Sequence, residues 1–246
     1  MSVINQKVVN VYQPHTLTSI LSIHLIKNGY QQLKPLLDCF ISIVGLLIAS
    51  PVFLAIGIII KLTSRGPVFY AQERVGKDGL LFEIIKFRTM RINAESQTGP
   101  VWARKEDTRT TAFGRFLRRT HLDELPQLIN VIRGEMSIVG PRPERPFFVS
   151  EFKDNIPGYT KRLSVKPGIA GMAQYYHKYD ETIPDVQKKL YYDLRYIKRM
   201  CWMLDLKVFL LTVMKSMLGR KERVPTKLQM TERPKRLELV LNSMCT

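Results

Sequence analysis

The chain reads as an α/β fold, mostly helical with one small β-hairpin and fastened to a membrane. Three observations predict it. Residues 39–60 form an uncharged apolar run with Ser50-Pro51 at its centre. Two strand-like stretches, 68–72 and 81–90, flank the turn signal Gly76-Lys77-Asp78-Gly79. Apolar residues then recur at helical spacing, at Leu125, Leu128, Ile129 and Ile132 and again from Leu190 to Leu211.

At 246 residues, 45% of them hydrophobic, the chain suits one moderate domain with an anchor and tails. Its 38 Lys and Arg against 21 Asp and Glu give a net charge of +17, which favours a phosphate-rich partner: nucleic acid, anionic lipid headgroups or a phosphorylated substrate. The excess is spread along the chain, as on a surface that lies against acidic lipid. Three scattered cysteines, Cys39, Cys201 and Cys245, indicate neither a disulfide framework nor a thiolate metal site.

Residues 1–33 hold a modest apolar patch and no acidic group, a surface-seeking leader of unassigned role. The apolar run of 39–60 would extend about 33 Å as straight helix, close to the hydrocarbon thickness of about 30 Å. A simple crossing accounts for that length. Against it, Pro51 removes an amide donor, the Ser50 hydroxyl is able to satisfy a freed carbonyl, and Lys or Arg flank both ends, so the positive-inside rule sets no orientation. On these grounds a spanning helix and one that turns back at Ser50-Pro51 stand level.

Next comes the hairpin, in whose second strand Lys86 and Arg88 alternate with Ile85, Phe87 and Thr89, placing two cations side by side on one face. Residues 92–113 read as a polar loop around Trp102, 114–119 as a helix, and the segment from Asp123 to Arg133-Gly134 as a second helix. After Gly140-Pro141-Arg142-Pro143 follow a short aromatic helix (Phe147, Phe148, Phe152), a Pro157-Gly158 break and a loop closing at Lys166-Pro167-Gly168. One long helix over about 186–217 ends the ordered pattern. Its stripe suits a core or partner seam, and its Trp, Tyr and Phe beside basic residues also suit a helix lying in the membrane interface.

The densest chemistry lies in Arg118-Arg119-Thr120-His121-Leu122-Asp123-Glu124-Leu125-Pro126-Gln127. Asp123 would serve as an ordinary N-cap and Glu124 as a complement to the helix dipole. The same pair, ionised and exposed near arginines, would also suit phosphoryl transfer, with one carboxylate as nucleophile and the other helping to hold a divalent ion. Arg142, fixed between two prolines, presents a planar fork matched to phosphate oxygens.

The ordered series Lys34 to Asp38, Ser50-Pro51, Thr63 to Phe69, Gln72 to Gly76, Lys86-Phe87-Arg88-Thr89-Met90, Leu122 to Leu128, Met136 to Pro143 and Lys166-Pro167-Gly168-Ile169 resembles the bacterial sugar transferase family, the monotopic polyprenyl-phosphate phosphoglycosyl transferases. That resemblance, over roughly 34–217, implies a re-entrant membrane helix at 34–62 broken at Ser50-Pro51, a catalytic domain at 63–219 with in-plane amphipathic helices, and a basic tail at 220–246. With no multi-helix segment before residue 34, the compact form is expected. It implies that Asp123 attacks the sugar-linked phosphate of a UDP-sugar, releases UMP and passes the phosphosugar to undecaprenyl phosphate on the cytoplasmic face of a bacterial inner membrane. Glu124 would be its catalytic partner, Asp123 and Glu124 would hold Mg²⁺, and Lys86, Arg118 and Arg142 would contact phosphate or nucleotide. The expected partners are a UDP-sugar, undecaprenyl phosphate and anionic lipids, without nucleic acid, and a homodimer stays open. Thr108 and Ala170 depart from the common family residues, so the sugar is not specified. A different class of protein, a membrane-tethered basic binder of nucleic acid or anionic lipid without catalysis, would have no need of an acidic pair among arginines and would lose affinity steeply with salt.

Overall fold

The computed structural model describes residues 17–92, 108–176 and 182–218. The leader's first 16 residues, most of the loop around Trp102 and the basic tail from 219 onward lie outside the described residues. The described part is mostly helical with two small two-stranded sheets, and one long apolar helix opens it.

Helix α1 spans Leu17–Thr63 and keeps Pro35 and Pro51 inside it. The helix therefore begins well before the 34–62 segment expected from the motifs, and its assignment runs through Ser50-Pro51 without a gap. The local reason is visible: Pro51 has no N–H for the Leu47 carbonyl, and the Ser50 hydroxyl donates to that oxygen instead, at 2.8 Å. One side of α1 bares Leu36, Phe40, Leu47, Ile48, Leu54 and Leu62. The other lies along the domain. In its first half Lys34 pairs with Asp205, Asp38 accepts from the Ser137 hydroxyl at 2.6 Å, and Tyr30 donates to Asp205 at 2.6 Å. In the middle the close approach of Leu128 leaves room for Gly45 with only ordinary contact, and near its end Ile56 and Ile60 are buried against Phe87 and Leu117.

Strands β1 (Phe69–Val75) and β2 (Leu81–Phe87) form the expected antiparallel hairpin, pairing Tyr70 with Lys86 and Glu73 with Glu83. Much of β1 stays exposed, Phe69, Tyr70 and Glu73 among it, and the hairpin is buried mainly through β2. Ile84 joins the main core and Phe87 the cluster under α1, so the strand does not turn a cationic face to water. Arg88 is buried and donates to the carbonyls of Arg65 (2.8 Å) and Ser64 (2.9 Å), tying the hairpin to the chain that leaves α1. Gly66 completes this tie with a φ of 113°, a conformation that side chains disfavour, in a space already filled by Arg88.

Helix α2 (Ala112–Thr120) is capped by Thr111, whose hydroxyl accepts from the Gly114 amide at 2.9 Å. It ends at His121, which adopts the left-handed conformation (φ 57°) and swings the chain into a single 3-10 turn at Leu122–Glu124. Helix α3 then runs over Gln127–Ile132. Asp123 is thus inside a tight turn and not at the start of one continuous helix from 123. Strand β3 (Ser137–Val139), helix α4 (Pro146–Asn155), a 3-10 stretch at Tyr159–Ser164, strand β4 (Gly168–Ala170) and helix α5 (Met172–Tyr176) follow. β3 and β4 pair in parallel, with Gly140 and Gly168 so close that a Cβ on Gly168 would sit 2.0 Å from the Gly140 amide nitrogen.

The long terminal helix is two helices, α6 (Ile183–Lys198) and α7 (Trp202–Leu218). α6 buries Val186, Leu190, Asp193 and Tyr196, whereas α7 buries Leu204 and Val208 and leaves Trp202, Met203, Leu206, Phe209, Leu210 and Met214 exposed. The break at 199–201 lets one stripe serve the core and the other half of the segment bare an apolar side. Asp205 in α7 accepts from Tyr196 at 2.8 Å as well as from Tyr30, which locks α7 to α1. Cys201 is disulfide-bonded.

Candidate active site

Three pieces of backbone meet at the acidic pair. The left-handed His121 and the 3-10 turn fold Asp123 and Glu124 beneath β2, and both are buried, at 7% and 8% exposure. The expectation of an exposed carboxylate is corrected here: a straight helix start would have left Asp123 in solvent, and the reversal at His121 buries it. Asn130 holds the turn in place. Its side-chain amide donates to the Glu83 carbonyl (2.7 Å) and its oxygen accepts from the Ile85 amide (3.0 Å), so α3 is pinned to the strand that carries Lys86. Asn130 escaped notice in the sequence, although it is a polar residue between Ile129 and Val131 in an otherwise apolar helix.

Lys86 leaves β2 and donates to Glu124 Oε1 at 2.9 Å. Arg142 grips the same carboxylate with both ends of its fork, through Nη1 to Oε2 at 3.2 Å and through Nη2 to Oε1. The loop behind Arg142 is held rigid by four successive carbonyls: Pro141 accepts from the Gly168 amide (2.9 Å), Arg142 from Arg162 (2.8 Å), Pro143 from Arg74 (3.2 Å) and Glu144 from the Val75 amide (2.9 Å). Arg162 is in turn bound by Asp193 at 2.7 and 2.9 Å. Arg162, Asp193 and Arg74 were not singled out in the sequence, since single charges on separate elements carry no local signal.

The two adjacent carboxylates are electrostatically opposite. Burial pushes the Glu124 carboxyl up, but Arg142 and Lys86 together outweigh it and hold that group well below the usual carboxylate range. For Asp123, burial and then the neighbouring Glu124 charge raise its pKa, against a partial pull from Lys86 and Arg142. Burial depresses the Lys86 amine, with Glu124 opposing, and Glu124 raises the Arg142 guanidinium. Among the described residues the Asp123 carboxylate accepts no hydrogen bond. The result is one ionised acid committed to two cations beside an uncommitted, more basic oxygen pair.

Lys86, Asp123, Glu124 and Arg142 are therefore brought together. Arg118 is held differently: its Nε donates to the Thr89 hydroxyl at 2.9 Å and its Nη1 to the Thr110 hydroxyl at 3.4 Å. Ser50 and Pro51 belong to α1. No group of three or more acidic, His or Cys side chains that could cage a metal occurs among the described residues. A Mg²⁺ ion needs only one or two carboxylates when substrate phosphates supply further ligands. Asp123 is free, and Glu124 Oε2 accepts one hydrogen bond and keeps a second lone pair, so the donor set fits that mode.

A Bacillus subtilis (strain 168) protein provisionally named undecaprenyl-phosphate N-acetylgalactosaminyl 1-phosphate transferase is 50% identical over 134 residues, which cover 54% of this chain and 74% of that protein. The UDP-N-acetylgalactosamine-undecaprenyl-phosphate N-acetylgalactosaminephosphotransferase of Aeromonas hydrophila is 41% identical over 184 residues, 75% of this chain and 43% of its own length. The UDP-glucose:undecaprenyl-phosphate glucose-1-phosphate transferase of Klebsiella pneumoniae is 41% identical over 189 residues, 76% of this chain. The chain spans less than half the length of these last two, 43% and 40%. Residues 29–219 match the family described as bacterial sugar transferase, and with most of its length so matched the chain belongs to that family.

Proposed function

We propose that this protein is a phosphoglycosyl transferase that moves a sugar phosphate from a UDP-sugar to undecaprenyl phosphate through a covalent intermediate on Asp123, as the first membrane step of glycan assembly. The observation that carries the reading is the division between Glu124, ion-paired with Lys86 and Arg142, and Asp123, buried beside it and uncommitted. An oxygen of Asp123 attacks the sugar-linked phosphorus; that P–O bond forms as the bond to the bridging oxygen breaks, and UMP leaves with the electron pair. A phosphate oxygen of undecaprenyl phosphate then attacks the same phosphorus, the bond to Asp123 breaks, and the carboxylate is restored. Lys86 and Arg142, aligned by Glu124, face the developing phosphate charge, and Arg118, held by Thr89 and Thr110, adds positive charge ahead of the turn. Mg²⁺, held by Asp123 and the free Oε2 position of Glu124, would neutralise the diphosphate.

The best single test offers a panel of UDP-sugars with undecaprenyl phosphate and Mg²⁺ and measures UMP. At least one donor is expected to give UMP in step with lipid-linked product; none doing so would refute the reading. If Arg142 grips phosphate, Arg142→Ala is expected to cost about 2 kcal/mol in transition-state binding, roughly 30-fold in kcat/KM, and an unchanged value would remove it from that role.

The membrane helix supports a monotopic placement at the cytoplasmic face of the inner membrane. Contacts at Lys34, Gly45 and Ile60 hold α1 to one folded domain from residue 34 to its end, which favours a helix lying against that domain over one that leaves it to cross the bilayer. We read Ser50-Pro51 as the point where the chain turns back toward the side it entered, with the bare apolar sides of α1 and α7 in lipid and the net charge of +17 facing anionic headgroups. A cysteine introduced within residues 2–10 is expected to resist impermeant thiol reagents in intact cells. Ready labelling would favour a crossing.

A further inference from the structure

Between the last turns of α1 and the start of β1 lies an apolar groove of about 400 Å³, lined on the helix by Phe53, Gly57, Ile58 and Lys61 and on the strand side by Val68 and Phe69. Phe53, Gly57 and Lys61 recur every four residues and so share one side of the helix. Gly57 keeps the floor open: even a methyl group there would already touch Val68 Cγ1 at 3.6 Å. Lys61 is the only charged residue of the lining, and it is exposed. The neighbouring Leu54 and Ile58 are bare, so the groove opens on the side of α1 that the preceding section assigns to lipid.

The floor is continuous with the active-site turn. Phe53 and Phe69 stack around Phe87, with ring centroids 4.7 and 5.5 Å from it. Phe87 follows Lys86, and the same cluster takes in Leu122 and Leu125, which bracket Asp123-Glu124. An apolar chain lying on Phe53 and Phe69 therefore sits one buried ring, Phe87, from the strand residue Lys86 and the Asp123-Glu124 turn, with one cation at the groove to complement an anionic head. A bulk phospholipid would gain nothing from that continuity.

We propose that this groove is the subsite for the phosphate-proximal isoprenoid chain of the lipid acceptor, an assignment that rests on the transfer reaction proposed above. The test uses wild-type enzyme in nanodiscs of phosphatidylethanolamine and phosphatidylglycerol, with undecaprenyl phosphate bearing a diazirine in its phosphate-proximal isoprene units. Crosslinks are expected within residues 53–69, displaced by excess undecaprenyl phosphate and not by excess phosphatidylglycerol. Crosslinks elsewhere, or equal displacement by phosphatidylglycerol, would overturn the assignment. Gly57→Leu, which fills the groove, is expected to raise the KM for undecaprenyl phosphate about tenfold, the factor that follows when roughly two methylene groups lose apolar burial. An unchanged KM would also overturn it. First-turnover UMP release reports whether that variant is folded, and if release is lost the wild-type crosslinks decide. Wild-type enzyme that releases no UMP from any donor refutes the reaction, whereas UMP release with crosslinks outside 53–69 refutes the groove alone.

Discussion

Asp123→Asn is expected to abolish UMP release, lowering kcat by a factor of at least about 10³, as removal of a covalent nucleophile does elsewhere. The substitution is nearly isosteric, and the Asp123 carboxylate accepts no hydrogen bond among the described residues, so the fold has little to lose. Activity and stability should therefore separate: the variant should melt near the wild-type temperature while failing to turn over. It should also fail to retain radiolabelled sugar phosphate after denaturation, which wild-type enzyme trapped without acceptor is expected to keep. Near wild-type UMP release would show that another group attacks the phosphorus. Glu124→Gln would be a poorer probe, because it leaves Lys86 and Arg142 without their shared anion and mixes chemistry with folding.

The second large effect falls on stability. Asp193→Ala is expected to cost about 3–5 kcal/mol, because it leaves the Arg162 guanidinium buried without its anion. Both side chains are almost wholly enclosed, at 2% and 1% exposure, and the pair joins α6 to the 3-10 stretch beneath the Arg142 loop. For a chain of this size such a loss lowers Tm by on the order of 10 °C, readable by thermal unfolding in detergent. An unchanged Tm would mean the pair contributes nothing. Replacing both partners together, Arg162→Met with Asp193→Leu, is expected to recover much of the stability, since apolar residues of similar volume substitute well for a buried pair. It should not recover kcat/KM, because the Arg142 carbonyl then loses the donor at 2.8 Å that orients its loop.

The parts of the fold that depend on local pattern were legible in the chain. The hairpin was marked by alternation and a glycine turn, α2 by its basic and apolar phases, and the end of α3 by Arg133-Gly134, where Gly134 adopts a φ of 77°. What was hidden depends on contacts far apart in sequence. Strands β3 and β4 are three residues each, too short for any period, and exist because Gly140 and Gly168 allow two backbones to meet. The division of the last helix at 199–201 has no proline or glycine to announce it. At the site, Asp123, Glu124 and Arg142 were visible as motifs, and Lys86 as one of a strand pair. That Arg88 would turn from Lys86 to backbone carbonyls, and that Asn130 would fasten the acidic turn to β2, depends on which strand each element meets.

The tie between Arg88 and the carbonyls of Ser64 and Arg65 has a mechanical consequence. It fastens the segment leaving α1 to the strand that carries Lys86, so α1 and that strand move as a pair. Under the reaction proposed above, anchor and site then tilt together as the bilayer changes, and the local membrane sets the height at which donor meets acceptor.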